Sequence, residues 1–295
     1  MKHTILLLVL TCALWCCSKD EDVTPSNVDR NMFDMPDFSS KEEMKIRRDF
    51  YENTTCYLIF NDSLYYRALT TPGSSEPECV VLDLKYQITG YSENILLRHT
   101  YLKNIQDKEL AAKFAKEEIL PRLIPALYPY TFFMVDQFFV REESKWSDDY
   151  GPEVERAAYT GYNATLVAYN NYYQMDEAAR DAYKRAIMSI IMAKNHTQIA
   201  DSEYDSFYQY SQDTYGKFPD YDDTPLEAGF LETFRYDWGR SFYSKKNDLL
   251  AYVMEIFKLT EEEFNEKYDK EKYPLVHLKK EALVKIFENL GVKVY

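Results

Sequence analysis

Four histidines, five cysteines and a few clustered acids are the side chains of this 295-residue chain with the types to do chemistry. His196 stands near the end of an apolar stretch running from Tyr183 to Ala200, behind Met192, Ala193, Lys194 and Asn195. One imidazole does not make a catalytic zinc site, which takes three protein ligands and a water. His99 and His277 lie far from His196 in sequence, and His3 falls in the first few residues. The pairs Glu142-Glu143 and Asp148-Asp149 have the chemistry of two glycosidase carboxylates. Paired acids in a polar loop are more simply a solvated surface. Asp220, Asp222 and Asp223 lack the turn glycine and the downstream bidentate glutamate of an EF-hand loop. There is no Gly-rich phosphate loop, no Cys-x-x-Cys and no G-x-S-x-G.

The element that positions His196 reads as a buried helix. Asp176 is its N-cap and Glu177 sits in the first turn, where the helix dipole favours negative charge. Ile187, Ile190, Ile191 and Met192 form a broad apolar face, with Ala186 and Ala193 as small contact points. Upstream, Thr55–Phe60, Cys79–Ile88, Thr131–Val140 and Tyr159–Asn170 read as strands, the third too apolar for an edge. Ser40 and Glu43 form a capping-box signature for a helix reaching about Tyr51. Lys108–Ile119 is helical and ends at Pro121. Downstream, helices are expected over Ser202–Thr214, Ser241–Lys258, Thr260–Tyr268 (opened by Thr260 and Glu263) and His277–Leu290, which Gly291 stops. The expected fold class is α+β. An N-terminal mixed β-sheet with helices occupies residues 40–175, a central helix 176–200, and a helical half 201–295.

Composition narrows the partners. The charge is -14, and removing the first sixteen residues takes out Lys2 alone, leaving 34 basic against 49 acidic residues, or -15. Phosphate binding needs clustered Lys and Arg, so no nucleic-acid partner is expected. The 27 tyrosines suit core and half-buried sheet positions, or the lining of a carbohydrate or peptide groove. Residues 1–16 have the basic start and short apolar run of a signal peptide, too short to span a membrane. Leu14-Trp15-Cys16-Cys17 resembles a bacterial lipobox, with Cys17 as the lipidated residue and Cys16 where Gly, Ala or Ser is usual. The acids that follow, Asp20-Glu21-Asp22, resemble the surface-export signal of Bacteroidetes lipoproteins. Residues 17–39 then read as lipidated Cys and tether, and 40–295 as the domain. The expected location is the outer membrane or cell surface, held by acyl chains. Export allows Cys56 and Cys79 to pair, but sequence supplies no Cα distance, so paired and free forms both stand.

The order of strand 158–170, central helix and helical half resembles the zincin layout, and specifically the zinc-binding metallopeptidase lipoproteins of Bacteroidetes, over residues 53–295. That family carries H-E-F-A-H on the helix, then G-F-[IV]-S, then E-D-F-x-E. Here Met192 stands at the first His position, Ala193 at the catalytic Glu, and His196 at the second His. Gly229-Phe230-Leu231-Glu232 matches the glycine segment. Asn247-Asp248-Leu249-Leu250-Ala251 matches the acidic one, with Asn247 and Ala251 at its Glu positions and Asp248 retained. The resemblance thus implies a degenerate peptidase that has lost its zinc. Such a protein would bind a peptide, glycoprotein or outer-membrane uptake protein in nutrient acquisition. An active hydrolase with a displaced site and a structural accessory of an uptake complex are the alternatives. His196 is expected as a hydrogen-bonded or solvated helix-end imidazole, and Asp248 as a solvated acid on the exposed face of its helix.

Overall fold

Ser40 opens the first helix by accepting from the Glu43 backbone N–H at 3.1 Å, and α1 runs Lys41–Thr54. The structure is a computed structural model describing residues 31–34, 39–67, 78–87, 90–91, 95–142, 150–218, 224–236 and 239–295. The Glu43 side chain does not close the capping box. It accepts instead from Ser39 and from Lys108. The strand β1 Tyr57–Ile59 follows α1, and then two antiparallel pairs, β2 Ser63–Arg67 with β3 Glu78–Val81 and β4 Tyr86–Gln87 with β5 Gly90–Tyr91. Next come β6 Ile95–Thr100 and α2 Ile105–Phe114. A π turn over Ala115–Ile119 and a 3-10 turn over Leu120–Arg122 end α2, with Pro121 barring a further α turn.

The expected strand 131–140 is two strands. β7 Thr131–Val135 and β8 Gln137–Glu142 are separated by Asp136, whose N–H donates to the Thr100 carbonyl and turns the chain into a second sheet. β9 is Val154–Glu155. The expected strand 159–170 is likewise split, into β10 Ala158–Thr160 and β11 Thr165–Ala168, with the turn closed by the Gly161 N–H on the Ala164 carbonyl. One sheet has the order β1-β7-β11-β10. Its first three strands are parallel, and β10 is an antiparallel edge. All five residues of β7 are buried, as a central parallel strand requires. The second sheet, β6-β8-β9, is antiparallel.

Asp176 caps α3, Glu177–Asn195, through the Ala179 N–H. Its buried face carries Ile187, Met188, Ile191 and Met192, and Asn195 ties it to the Leu127 carbonyl. The stretch 201–211 is one short helix, α4 Asp205–Tyr208, between two 3-10 turns. A hairpin absent from the sequence reading follows, β12 Thr233–Tyr236 with β13 Gly239–Phe242. It delays the next helix, so that Ser244 rather than Ser241 lies at its mouth. α5 is Lys245–Lys258, α6 Glu261–Lys267 and α7 Pro274–Leu290. Thr260 and Glu263 form the full reciprocal capping box, and Gly291 stops α7 with φ +89°. α3 packs along α5, and α5 packs on α6 and α7. Ser189 donates from α3 to the Met254 carbonyl of α5 at 2.8 Å.

Residues 33–295 form one compact unit. Phe33, in the stretch read as tether, is buried against Tyr57 and Tyr130, and Arg47 donates to its carbonyl. Cys56 is a buried free thiol and Cys79 an exposed one on β3, so the pairing that export would allow is not made. Among the described residues no helix is long and apolar enough to cross a membrane. Cys17 and the lipobox lie outside the described residues, as do Glu143, Asp148, Asp149, Asp220, Asp222 and Asp223.

Candidate functional site

The two segments singled out downstream, Gly229–Glu232 and Asn247–Ala251, meet at α5 and serve its two faces. A helix repeats every 3.6 residues, so Asn247, Ala251 and Met254 share one side while Asp248 and Tyr252 share another. The first side lines a cleft of about 510 Å³ with Leu231, Glu232, Tyr243, Lys258, Lys267 and Tyr268. The second side faces the core.

In the cleft, two carboxylates are each held by a phenol. The Tyr243 hydroxyl donates to Glu232 at 2.8 Å, and the Tyr268 hydroxyl donates to Glu255 at 2.8 Å. Lys267 also pairs with Glu255. Burial and the adjoining carboxylate push the Tyr243 phenol up to about 12, and burial raises Tyr268 further. These phenols therefore stay protonated as donors. Leu231, Leu250 and Met254 supply apolar walls. The arrangement can accept hydrogen bonds from a polar ligand while covering its apolar parts. A smaller cleft of about 310 Å³, beside the β10–β11 turn, includes Tyr128, Tyr130 and Tyr162. The Lys194 ammonium there is already donated to the Gly161 and Tyr162 carbonyls.

On the core side, Asp248 departs from expectation. It is not a solvated acid but a fully buried one, ion-paired with an equally buried Lys279 of α7 at 2.5 Å. The same ammonium donates to the Gly229 carbonyl at 2.8 Å and reaches the Ser211 hydroxyl at 3.3 Å. Tyr215 donates to the same carboxylate oxygen, Oδ2, at 3.0 Å. Around the ammonium stand the rings of Phe230, Phe207, Tyr252 and Tyr215, with centroids 4.6, 4.7, 4.9 and 5.6 Å away. Asp248 Oδ1 is buried without a hydrogen-bond partner. Desolvation pushes the carboxyl up against the pull of Lys279, and pushes the ammonium down against the pull of Asp248. The physical reason for the misreading is that Asp248 lies one turn before Tyr252 on the buried stripe of α5. A sequence signal existed: Lys279 stands on the stripe Val276, Leu283, Phe287, where a lysine demands a buried acid.

The residues at the positions the resemblance assigns to zinc binding are engaged elsewhere. Met192 is fully buried core and Ala193 is half-buried. His196 caps α3, is buried, and donates from Nδ1 to the Met192 carbonyl at 2.9 Å. Burial lowers its pKa, and Tyr204 donates to its carbonyl. His99 lies on β6 between Tyr101 and Phe133, and His277 on α7 is buried against Phe264. Among the described residues no group of three or more His, Cys, Asp or Glu side chains is placed to hold a metal. No family model matches the chain, and neither curated proteins nor solved structures give a match.

Proposed function

We propose that this chain is a lipid-anchored surface protein with a zincin-like fold, whose peptidase site has degenerated and which binds a peptide or glycoprotein segment in nutrient acquisition. The observation that carries the reading is the use of the two family segments. Where zinc chemistry would need acids, Asn247 and Ala251 line an open cleft, and the retained Asp248 is committed to Lys279. The helix that would hold zinc has Met192 in the core and turns the His196 ring back onto the Met192 carbonyl. The order of elements, with β10 and β11 leading into α3 and a helical half behind it, supports the scaffold.

The cleft suits a segment with donor groups and an apolar portion. Glu232 and Glu255 accept from it, while Leu250 and Met254 cover its apolar surface. The test uses the chain from Ser18 onward, immobilised and exposed to a tryptic digest of casein and to mucin-type glycopeptides, with retained species read by mass spectrometry. Specific retention that Met254→Arg reduces at least about tenfold, roughly 1.4 kcal/mol, is the expected result. Stoichiometric zinc that survives buffer exchange and is lost in His196→Ala, together with cleavage of the retained peptides, would overturn it in favour of a hydrolase.

A further inference from the structure

The pair on the core side of α5 is arranged for more than electrostatics. We propose that Lys279 Nζ and the Asp248 carboxyl condense into an intramolecular amide, an isopeptide bond tying α5 to α7. The inference is independent of what the cleft binds.

Four observations carry it. The nitrogen is 2.5 Å from Oδ2, so the carboxyl carbon lies no more than one C–O bond length beyond. Confinement at such range favours attack on the carboxyl carbon over the same step between free groups. Neither side chain has exposed surface, and four aromatic rings enclose the nitrogen, so bulk water is kept from the site. Tyr215 donates to Oδ2, which polarises the carbonyl that must be attacked. Oδ1 has no protein partner to retain it.

The step balances without a co-reactant. The ammonium proton moves to the carboxylate, giving a neutral amine and a carboxylic acid. That proton reaches Oδ2 along the existing hydrogen bond. Burial lowers the cost of that proton transfer, since it raises the carboxyl pKa and lowers that of the amine. The nitrogen lone pair then forms the N–C bond. On attack the carbonyl electron pair moves onto Oδ1, which takes a second proton from the nitrogen. Oδ1 then takes the Oδ2 proton as C=Oδ2 re-forms, so the C–Oδ1 bond breaks and Oδ1 leaves as water. No group is oxidised or reduced. The product satisfies its surroundings better than the ion pair does. Its single N–H keeps the Gly229 carbonyl, its C=O keeps Tyr215, and both the buried charges and the unpartnered oxygen are gone. The link closes a loop between positions 31 apart and constrains the unfolded chain as a disulfide would.

The test is the denatured intact mass of the folded chain from Ser18 onward. The expected mass is below the sequence mass by one water, about 18 Da. A tryptic digest should yield one branched peptide joining the Asp248 and Lys279 segments, with no cleavage after Lys279. The linked chain should also run faster than Lys279→Met on a denaturing gel. Lys279→Met and Asp248→Ala should each restore the full mass, and Tyr215→Phe should slow the mass loss. The mass readout does not require the variants to fold. A folded wild-type chain that keeps its full mass after prolonged incubation, with no branched peptide, overturns the proposal. A loss of one water without the branched peptide also overturns it, because the dehydration then lies elsewhere.

Discussion

Gly229→Ala should be among the most damaging single-methyl additions in this chain. Gly229 has φ +79°, in the left-handed region. An added Cβ would lie 3.1 Å from Leu275 Cβ, 3.2 Å from Ser211 Oγ and 3.3 Å from Lys279 Cδ. None of the three can retreat freely. Leu275 Cβ is fixed to a helix backbone, and Ser211 and Lys279 are both hydrogen-bonded in place. The Gly229 carbonyl also accepts from Tyr252, so a shift of this backbone disturbs a second buried bond. A non-glycine residue in the left-handed region costs about 1–2 kcal/mol. Overpacking a filled site costs about 1–3 kcal/mol more. The expected loss is therefore about 2–5 kcal/mol from these two terms. Gly216→Ala is the matched control, since Gly216 has φ +71° and nothing within 4 Å of a Cβ. It should lose only the backbone part, about 1–2 kcal/mol. Urea unfolding followed by fluorescence, with both variants at one protein concentration, measures the difference. Equal losses for the two variants would refute the packing argument around Lys279.

Four further outcomes concern α3 and the two thiols. Met192→Ala should cost about 2–5 kcal/mol, because the side chain is fully buried. Met192→His with Ala193→Glu should likewise destabilise, by about 1–3 kcal/mol for the unpaired polar groups; tight stoichiometric zinc in that double variant would contradict the account of α3. Burial holds the His196 pKa below 6.5, so on acidification the unfolded chain binds the proton first. Stability is therefore complete above pH 6.5 and is lost as pH falls toward the folded-state value, at no more than about 1.4 kcal/mol per pH unit. His196→Gln should flatten that part of the midpoint-against-pH curve, and an unchanged slope would count against a buried neutral imidazole. In the chain from Ser18, Ellman's reagent should reach Cys79 at once and Cys56 only in urea. Cys56 is buried, and desolvation pushes its thiol up to about 11; two fast thiols in the native state would be the contrary result.

Short-range signals were legible in the sequence because their physics is short-range. Asp176 caps α3, Thr260 and Glu263 box α6, and Gly291 stops α7, each through bonds within a few residues. The apolar face of α3 was equally plain from its period. The breaks inside apolar runs were not. Thr131–Val140 reads as one strand because both halves are apolar, and the bonds from Asp136 and Gln137 to Thr100, 36 and 37 positions away, divide it between two sheets. The β12–β13 hairpin was hidden because its second strand runs almost directly into α5, so Ser241 and Phe242 read as helix.

The site divides in the same way. Sequence alone determined that Met192 and Ala193 stand at the positions to which the resemblance assigns a zinc ligand and a general base, and that Asn247 and Ala251 are not acids. It determined the acidic balance that disfavours nucleic acid. Only the tertiary structure decided that Asp248 is buried, that Lys279 is its partner, and that four rings close around them. A helix stripe tells a residue that it must face the core, but not what it meets there. A buried charge is tolerable only beside its counter-charge, and that partner is chosen by how α5 and α7 pack, a distance along the chain that no local pattern spans.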